Sequence, residues 1–285
     1  MFGLKPARTF IGRIRDRVVT AMLESSMKGG AAIVADLRAR EGLPPYRGSL
    51  FDFHVDTSEL ILQVGVPGMD YPRTDWPANV RFVGPMVPHE KPDAALPPSV
   101  AGKLDAHPSL IVVSQGTLDN RDPEKLFVPA LTALAGTPHL VVATTGGRST
   151  SELRERFPQD NVVVEDWIDF GALMRHADLF ISNGGYGSVM RALVHGVPLL
   201  VAGKLEGKAD INARLDYHGL ALDLRTERPT PKQIARGVAR VLGEPRFAQN
   251  VARVRDELAS YDSYAIVEAA LTAGQARPVA RAAAP

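Results

Sequence analysis

The stretch Asn183-Gly184-Gly185-Tyr186-Gly187-Ser188, then seven residues and Gly196-Val197-Pro198, carries the clearest chemistry in the chain. Asp178 to Ser182 reads as a short buried strand before it, and Ser188, Val189, Ala192 and Leu193 as one face of an amphipathic helix after it. A glycine-rich turn there presents free backbone N–H groups at a helix N-terminus, where the helix dipole favours an anion, usually a phosphate. Glycines at 184, 185 and 187 would let backbone approach a diphosphate closely. The same glycines would also serve an ordinary, tightly packed strand-to-helix turn.

The elements that must hold this turn alternate between strand and helix from residue 122 to 273. Leu110 to Ser114, His139 to Thr144, Asn161 to Val164, Leu179 to Ser182 and Val197 to Ala202 are compact apolar runs without polar alternation. Such strands are buried on both faces, which predicts a parallel sheet covered by helices. Asp122-Pro123 is a helix start, with a cap and then proline in the first turn, and Thr230-Pro231 begins another helix that runs to about Leu242. Ser149 to Phe157 also reads as helical. In such sheets ligands sit at the C-terminal ends of the strands. Gly116-Thr117, Thr145-Gly146-Gly147, Trp167 and the Asn183 turn all fall there, so four candidate contacts share one rim.

Composition bounds the function. The chain has 285 residues, 45% hydrophobic and 23% charged, with a formal net charge of +1. That balance gives no electrostatic footprint for nucleic acid or an anionic membrane. The absence of cysteine excludes disulfides, thiolate metal sites and a cysteine nucleophile. No apolar run reaches membrane-spanning length, and charges at Arg13, Arg15, Asp16 and Arg17 interrupt any signal-peptide pattern. A cytoplasmic enzyme or binding protein is the expectation.

The N-terminal third differs. Phe10 to Leu23 and Ala31 to Arg40 read as helices, and Glu59 to Val64 and Val80 to Val83 as short strands, which together make a thin core. Residues 88–108 hold five of the 22 prolines and no periodicity, which predicts a semi-rigid linker. The expected organisation is a partial N-terminal, acceptor-side domain over 1–87, a linker over 88–108, a C-terminal domain over 109–273, and a disordered tail over 274–285.

Taken together, Ser114-Gln115-Gly116-Thr117, Asp166-Trp167-Ile168, the Asn183–Ser188 turn and His195-Gly196-Val197-Pro198 resemble, in order, the signature of nucleotide-sugar glycosyltransferases, the family of plant secondary-product, macrolide and antibiotic-tailoring enzymes. Gln63-Val64-Gly65-Val66-Pro67-Gly68 through Val83-Gly84-Pro85 is similar to the end of that family's N-terminal domain. The resemblance covers roughly residues 50–273. It implies an α/β, GT-B-like fold of two Rossmann-like domains, the C-terminal one complete and the N-terminal one partial. It further implies that Ser114, Gly116 and Thr117 approach the donor phosphates, and that Asn183, Gly184, Gly185, Gly187 and Ser188 hold the diphosphate. Trp167 and Ile168 would lie near the base, and Glu206 and Lys208 near the sugar. Each has a plainer alternative: Trp167 as a cap on the core, Ser188 as a helix cap, Glu206 and Lys208 as a solvated pair.

The chain departs from the family pattern at several places. Asn183 stands where many members have His, Arg191 where many have a ribose-gripping Glu, and Gly207-Lys208 where the family has an Asp-Gln sugar clamp. The family's early catalytic His has no counterpart. The first histidine is His54, which with Asp52 or Asp56 is a surrogate candidate, its plainer alternative being a surface-loop histidine, so the catalytic base stays unassigned. The resemblance implies transfer of a sugar from a nucleotide diphosphate sugar to a hydroxyl of a small-molecule or natural-product acceptor, inverting, with no metal (the chain has no Asp-x-Asp) and no cofactor beyond the donor. Two alternatives stay open: a donor-binding module, truncated or split, that needs a missing N-terminal partner segment or self-associates; or a sugar-nucleotide epimerase or hydrolase on the same architecture.

Overall fold

The computed structural model describes residues 3–7, 9–91, 93–117 and 119–275. The chain divides into two compact units. The smaller comprises Lys5–Gln63 and Pro72–Phe82, and the larger takes in Val64–Tyr71 and the chain from Val83, with a short stretch ending at Leu4.

In the smaller unit, α1 (Phe10–Ser26) starts behind Thr9, whose hydroxyl accepts from Gly12 N, and α2 (Lys28–Arg40) follows after one residue. Neither helix has a fully buried residue, and Phe10 and Ile11 are 70% and 79% exposed. α3 (Phe53–Thr57) is little more than a single turn. β1 (Ile61–Val64) and β2 (Val80–Gly84) pair with each other.

Residues 88–108, read from the sequence as a linker, belong to the larger unit instead. Val100 on α4 (Pro98–Ala101) is fully buried, and Leu96 and Leu104 pack against the same apolar cluster. The prolines erase periodicity, but these three side chains still find a hydrophobic face to cover.

That face belongs to a six-stranded parallel sheet. Its strands are β3 (Leu110–Ser114), β4 (Leu140–Thr144), β5 (Val162–Glu165), β6 (Leu179–Ser182), β7 (Leu199–Val201) and β8 (Ala221–Asp223), in the spatial order β5-β4-β3-β6-β7-β8. Successive residues of β3 point to opposite clusters. Leu110 and Val112 join Leu140, Val142 and Phe180, while Ile111 and Val113 join Val141, Ala143, Leu179 and Ile181. Burial of both faces is why the run LIVVS shows no polar alternation.

Helices α7 (Phe170–Met174), α8 (Tyr186–Val194) and α11 (Arg246–Ala259) supply the first cluster, through Leu173, Met174, Val189, Leu193, Val251 and Val254. Helices α5 (Phe127–Leu134), α6 (Thr150–Arg156) and α10 (Pro231–Gly243) supply the second. α10 begins in a full capping box between Thr230 and Gln233, behind the proline in its first turn. The Asp122-Pro123 start is a short 3-10 turn that precedes α5, with the Asp122 carboxylate accepting from Glu124 N at 3.0 Å.

α9 (Lys208–His218) begins where the sequence reads as a polar loop. α12 (Ser263–Gln275) carries the chain two residues past 273, so the first part of the expected tail is helical and residues 276–285 lie outside the described residues. No helix among the described residues is long and apolar enough to cross a membrane.

Candidate functional site

The strand order reverses between β3 and β6. From β3 the chain builds outward through β4 and β5, then returns to place β6 on the other side of β3. The C-terminal ends of β3 and β6 therefore flank a topological switch point, where α/β sheets open a crevice. Ser114 and Ser182 are register partners at that edge.

A cavity of about 530 Å³ opens there, lined by Ser114 at the end of β3 with Gly116 and Thr117 after it, Thr144 at the end of β4 with Gly146 after it, the run Asp166 to Phe170 after β5, and Gly187, Ser188 and Arg191 on α8. Eight of the candidate contacts read from the sequence meet in it: Ser114, Gly116, Thr117, Gly146, Trp167, Ile168, Gly187 and Ser188. Trp167 is 68% exposed and lies against Gly146 and Gly147, so it does not cap the core. Ile168 both lines the cavity and packs against the core. Ser188 is not a helix cap either, because Gly185 occupies the N-cap of α8 with no side-chain cap bond. The N–H groups of Gly187 and Ser188 lie in the first turn, where a helix offers no acceptor of its own.

Asn183, Gly184 and Gly185 do not line the cavity, which departs from the expected diphosphate contacts. The Asn183 amide is used inward: Nδ2 donates to Gln115 O at 2.7 Å, and Oδ1 accepts from Gly185 N at 3.2 Å. Gly184 has φ +85°, and a Cβ on it would overlap the buried Asn212 side chain, so only glycine fits this corner. The turn thus shapes the mouth of α8.

Glu206 and Lys208 also lie outside the lining. They do pair, at 2.9 Å, but Lys208 is not solvated: its side chain is 7% exposed and it also meets Asp119 Oδ2 at 2.8 Å. Asp119 in turn holds Lys125 at 2.8 Å, and Lys125 reaches Glu227 at 3.3 Å. Burial raises the Asp119 carboxyl, but hydrogen bonds from Lys125 and Lys208 outweigh it and hold its pKa below the usual value. Burial likewise lowers Lys208, and its bonds to Asp119 and Glu206 outweigh that and leave it raised. The network ties the loop after β3 to the start of α9.

Arg191 is the main lining residue that the sequence did not mark as a contact. Its guanidinium lies 5.5 Å from the centre of the Phe170 ring, and it makes no ion pair among the described residues. The signal was available, since Arg191 falls one helical turn after Ser188 and so shares its face. Asp166 and Asp169 are partly committed: Asp166 accepts from the Thr150 hydroxyl, and Asp169 caps α7 through Ala172 N at 2.8 Å. In the smaller unit His54 is exposed on α3, and Asp56 accepts from the Tyr46 hydroxyl at 2.7 Å. No group of three or more metal-ligating side chains is placed to hold an ion among the described residues.

By fold this is an α/β protein of the GT-B glycosyltransferase kind. It is similar to the calicheamicin glycosyltransferase CalG4, with a TM-score of 0.70 at 22% identity over 98% of this chain and 69% of that one. It is also similar to the kitacinnamycin glycosyltransferase, with a TM-score of 0.67 at 24% identity over 87% of this chain and 63% of that one. The chain belongs to the family described as erythromycin biosynthesis protein CIII-like, C-terminal domain, whose profile matches residues 129–273. It is 42% identical over 268 residues to the 4'-demethylrebeccamycin synthase of Lentzea aerocolonigenes, covering 94% of this chain and 62% of that protein. It is 32% identical over 266 residues to UDP-glycosyltransferase 2 of Phaeomoniella chlamydospora, covering 92% of this chain and 58% of that protein. The chain therefore spans about three-fifths of the length of these two relatives.

Proposed function

We propose that the cavity at the β3/β6 switch point holds the nucleoside diphosphate of a nucleotide sugar, and that the protein transfers the sugar to a hydroxyl of a small-molecule acceptor. The observation that carries this reading is the convergence of backbone N–H groups, Ser114, Thr117, Ser188 and Arg191 around one cavity with an exposed tryptophan at its rim. Hydroxyls, helix-end N–H groups and a guanidinium suit a diphosphate, and an indole face suits a base. The names of the glycosyltransferases to which the chain is similar agree with it.

In the transfer, a base takes the proton of the acceptor hydroxyl, the oxygen attacks the anomeric carbon from the side opposite the leaving group, and the bond to the diphosphate breaks. Charge grows on the leaving phosphate, and the first turn of α8 with Arg191 stabilises it there. Attack from that side inverts the anomeric configuration, and helix end and guanidinium take the charge-stabilising role without a metal or further cofactor.

The donor cavity is built entirely from residues 114–191, and no acceptor base is assigned. That favours, as a second reading, donor binding by this chain that is separable from turnover. Incubating the chain with uridine and thymidine diphosphate sugars and a panel of phenolic and alcohol acceptors, with and without chelator, tests both readings. Chelator-insensitive glycoside of inverted configuration supports transfer. Donor binding without product supports the second reading, and a new sugar isomer or free sugar without acceptor would instead show an epimerase or hydrolase.

A further inference from the structure

We propose that Glu90 is a positioning residue for the cavity, holding α7 and α8 at the spacing that sets the cavity wall; the proposal rests on reading the cavity as the donor site. Glu90 does not line the cavity and sits on the proline-rich segment that the sequence marks as a linker.

Its carboxylate engages both helices. Oε1 is 3.0 Å from Nε2 of His195, which ends α8, and Oε2 is 4.0 Å from Arg175, which ends α7. The same group fills the space in front of Gly171, where any Cβ would overlap it. Gly171 directly follows Phe170, which lines the cavity and whose ring centre lies 5.5 Å from the Arg191 guanidinium. Arg191 is borne by α8, one turn before His195. The contacts close a circuit: Glu90 to Gly171, Phe170 to Arg191, along α8 to His195, and back to Glu90.

The circuit matters because α7 has only five residues and cannot hold its own position. It is placed by what it packs against. Glu90 is kept in register by a second tie on the same segment, Arg175 donating to Ala94 O at 2.9 Å. Removing the carboxylate leaves His195 without this partner and a gap before Gly171. α7 and α8 then settle differently, and Arg191 no longer faces the diphosphate from the same place.

The test is nucleotide affinity together with the indole N–H resonances of the two tryptophans, Trp167 in the cavity and Trp76 in the smaller unit as internal control. Glu90→Ala is expected to weaken uridine or thymidine diphosphate binding about tenfold and to shift Trp167 but not Trp76, while Glu90→Gln, which keeps the size and the bond to His195, stays within about threefold. Gly171→Ala should reproduce the Glu90→Ala loss, and adding it to Glu90→Ala should cost nothing more, because the group it would strike is gone. The proposal is overturned by wild-type binding and an unmoved Trp167 signal in Glu90→Ala, by Glu90→Gln failing as badly as Glu90→Ala, or by additive losses in the double variant. If the wild-type chain binds neither nucleotide, the donor-site reading fails, and the Trp167 shift alone then decides whether Glu90 positions this cavity.

Discussion

Asn183 Nδ2 donates to the main-chain oxygen of Gln115 at 2.7 Å, across the point where the strand order of the sheet reverses. One buried amide thereby joins the turn after β3 to the turn that opens α8, the two turns that supply Ser114, Gly116 and Thr117 on one side and Gly187 and Ser188 on the other. The bond holds these two turns together.

Asn183→Asp tests that role. A carboxylate cannot donate to Gln115 O and sets two acceptors against each other in a buried place, so the folded state should lose about 1–3 kcal/mol. The urea midpoint should fall with an unchanged slope, and nucleotide affinity should fall with it.

Arg191 should matter for binding more than for folding, since among the described residues its guanidinium makes no ion pair and lies over the Phe170 ring. Arg191→Ala is expected to weaken diphosphate binding about tenfold and Arg191→Glu further, a loss of about 1.4 kcal/mol or more. Titrations at several salt concentrations check the cause: if the guanidinium meets the diphosphate, affinity falls with salt in the wild type and less steeply in Arg191→Ala.

Trp167 gives the opposite pairing of effects from Asn183. At 68% exposure its loss should move stability by no more than about 0.5 kcal/mol. Yet removing a stacking platform should cost about 1–3 kcal/mol of nucleotide affinity. Thermal unfolding and calorimetry on Trp167→Ala separate the two.

The Asp119–Lys125–Lys208–Glu227 network predicts a specific acid limb. Asp119 and Glu227 both titrate below their ordinary values of 3.8 and 4.5, as hydrogen bonds from Lys125 and Lys208, and from Lys204 N and Lys125, outweigh burial. Their folded pKa lies below the unfolded one, so this stability is full above about pH 5 and is lost as pH falls through the unfolded values towards the folded ones. The lysines are shifted upward, so their share is full below their ordinary value of 10.5 and is lost only as pH rises through the folded value. Urea midpoints at pH 7 and pH 3.5 should therefore differ less in Asp119→Asn than in the wild type. Equal differences would remove the network from the account.

The sheet was legible because burial on both faces leaves a plain mark. Leu110–Ser114 and Leu179–Ser182 have the bounds that their apolar runs suggest. The three-residue β8 left no such mark, and α9 hid behind charged residues, because Lys208 is buried by its ion pairs rather than by apolarity. At the site, glycines and strand ends located the rim. They could not tell which way Asn183 turns, since its amide suits a phosphate and a carbonyl equally. Nor could they show Glu90, whose contacts lie at least 81 residues away in sequence.

The most direct test of the donor-site reading is a calorimetric titration of the chain with uridine and thymidine diphosphates, beside Gly187→Asp. Position 187 has open space around it and lies in the first turn of α8, where a carboxylate is favourable for the helix, so the variant should fold as the wild type does. Saturable binding to the wild type that disappears in Gly187→Asp is the predicted result. No heat at millimolar nucleotide with folded wild-type protein, or equal binding to Gly187→Asp, would contradict it.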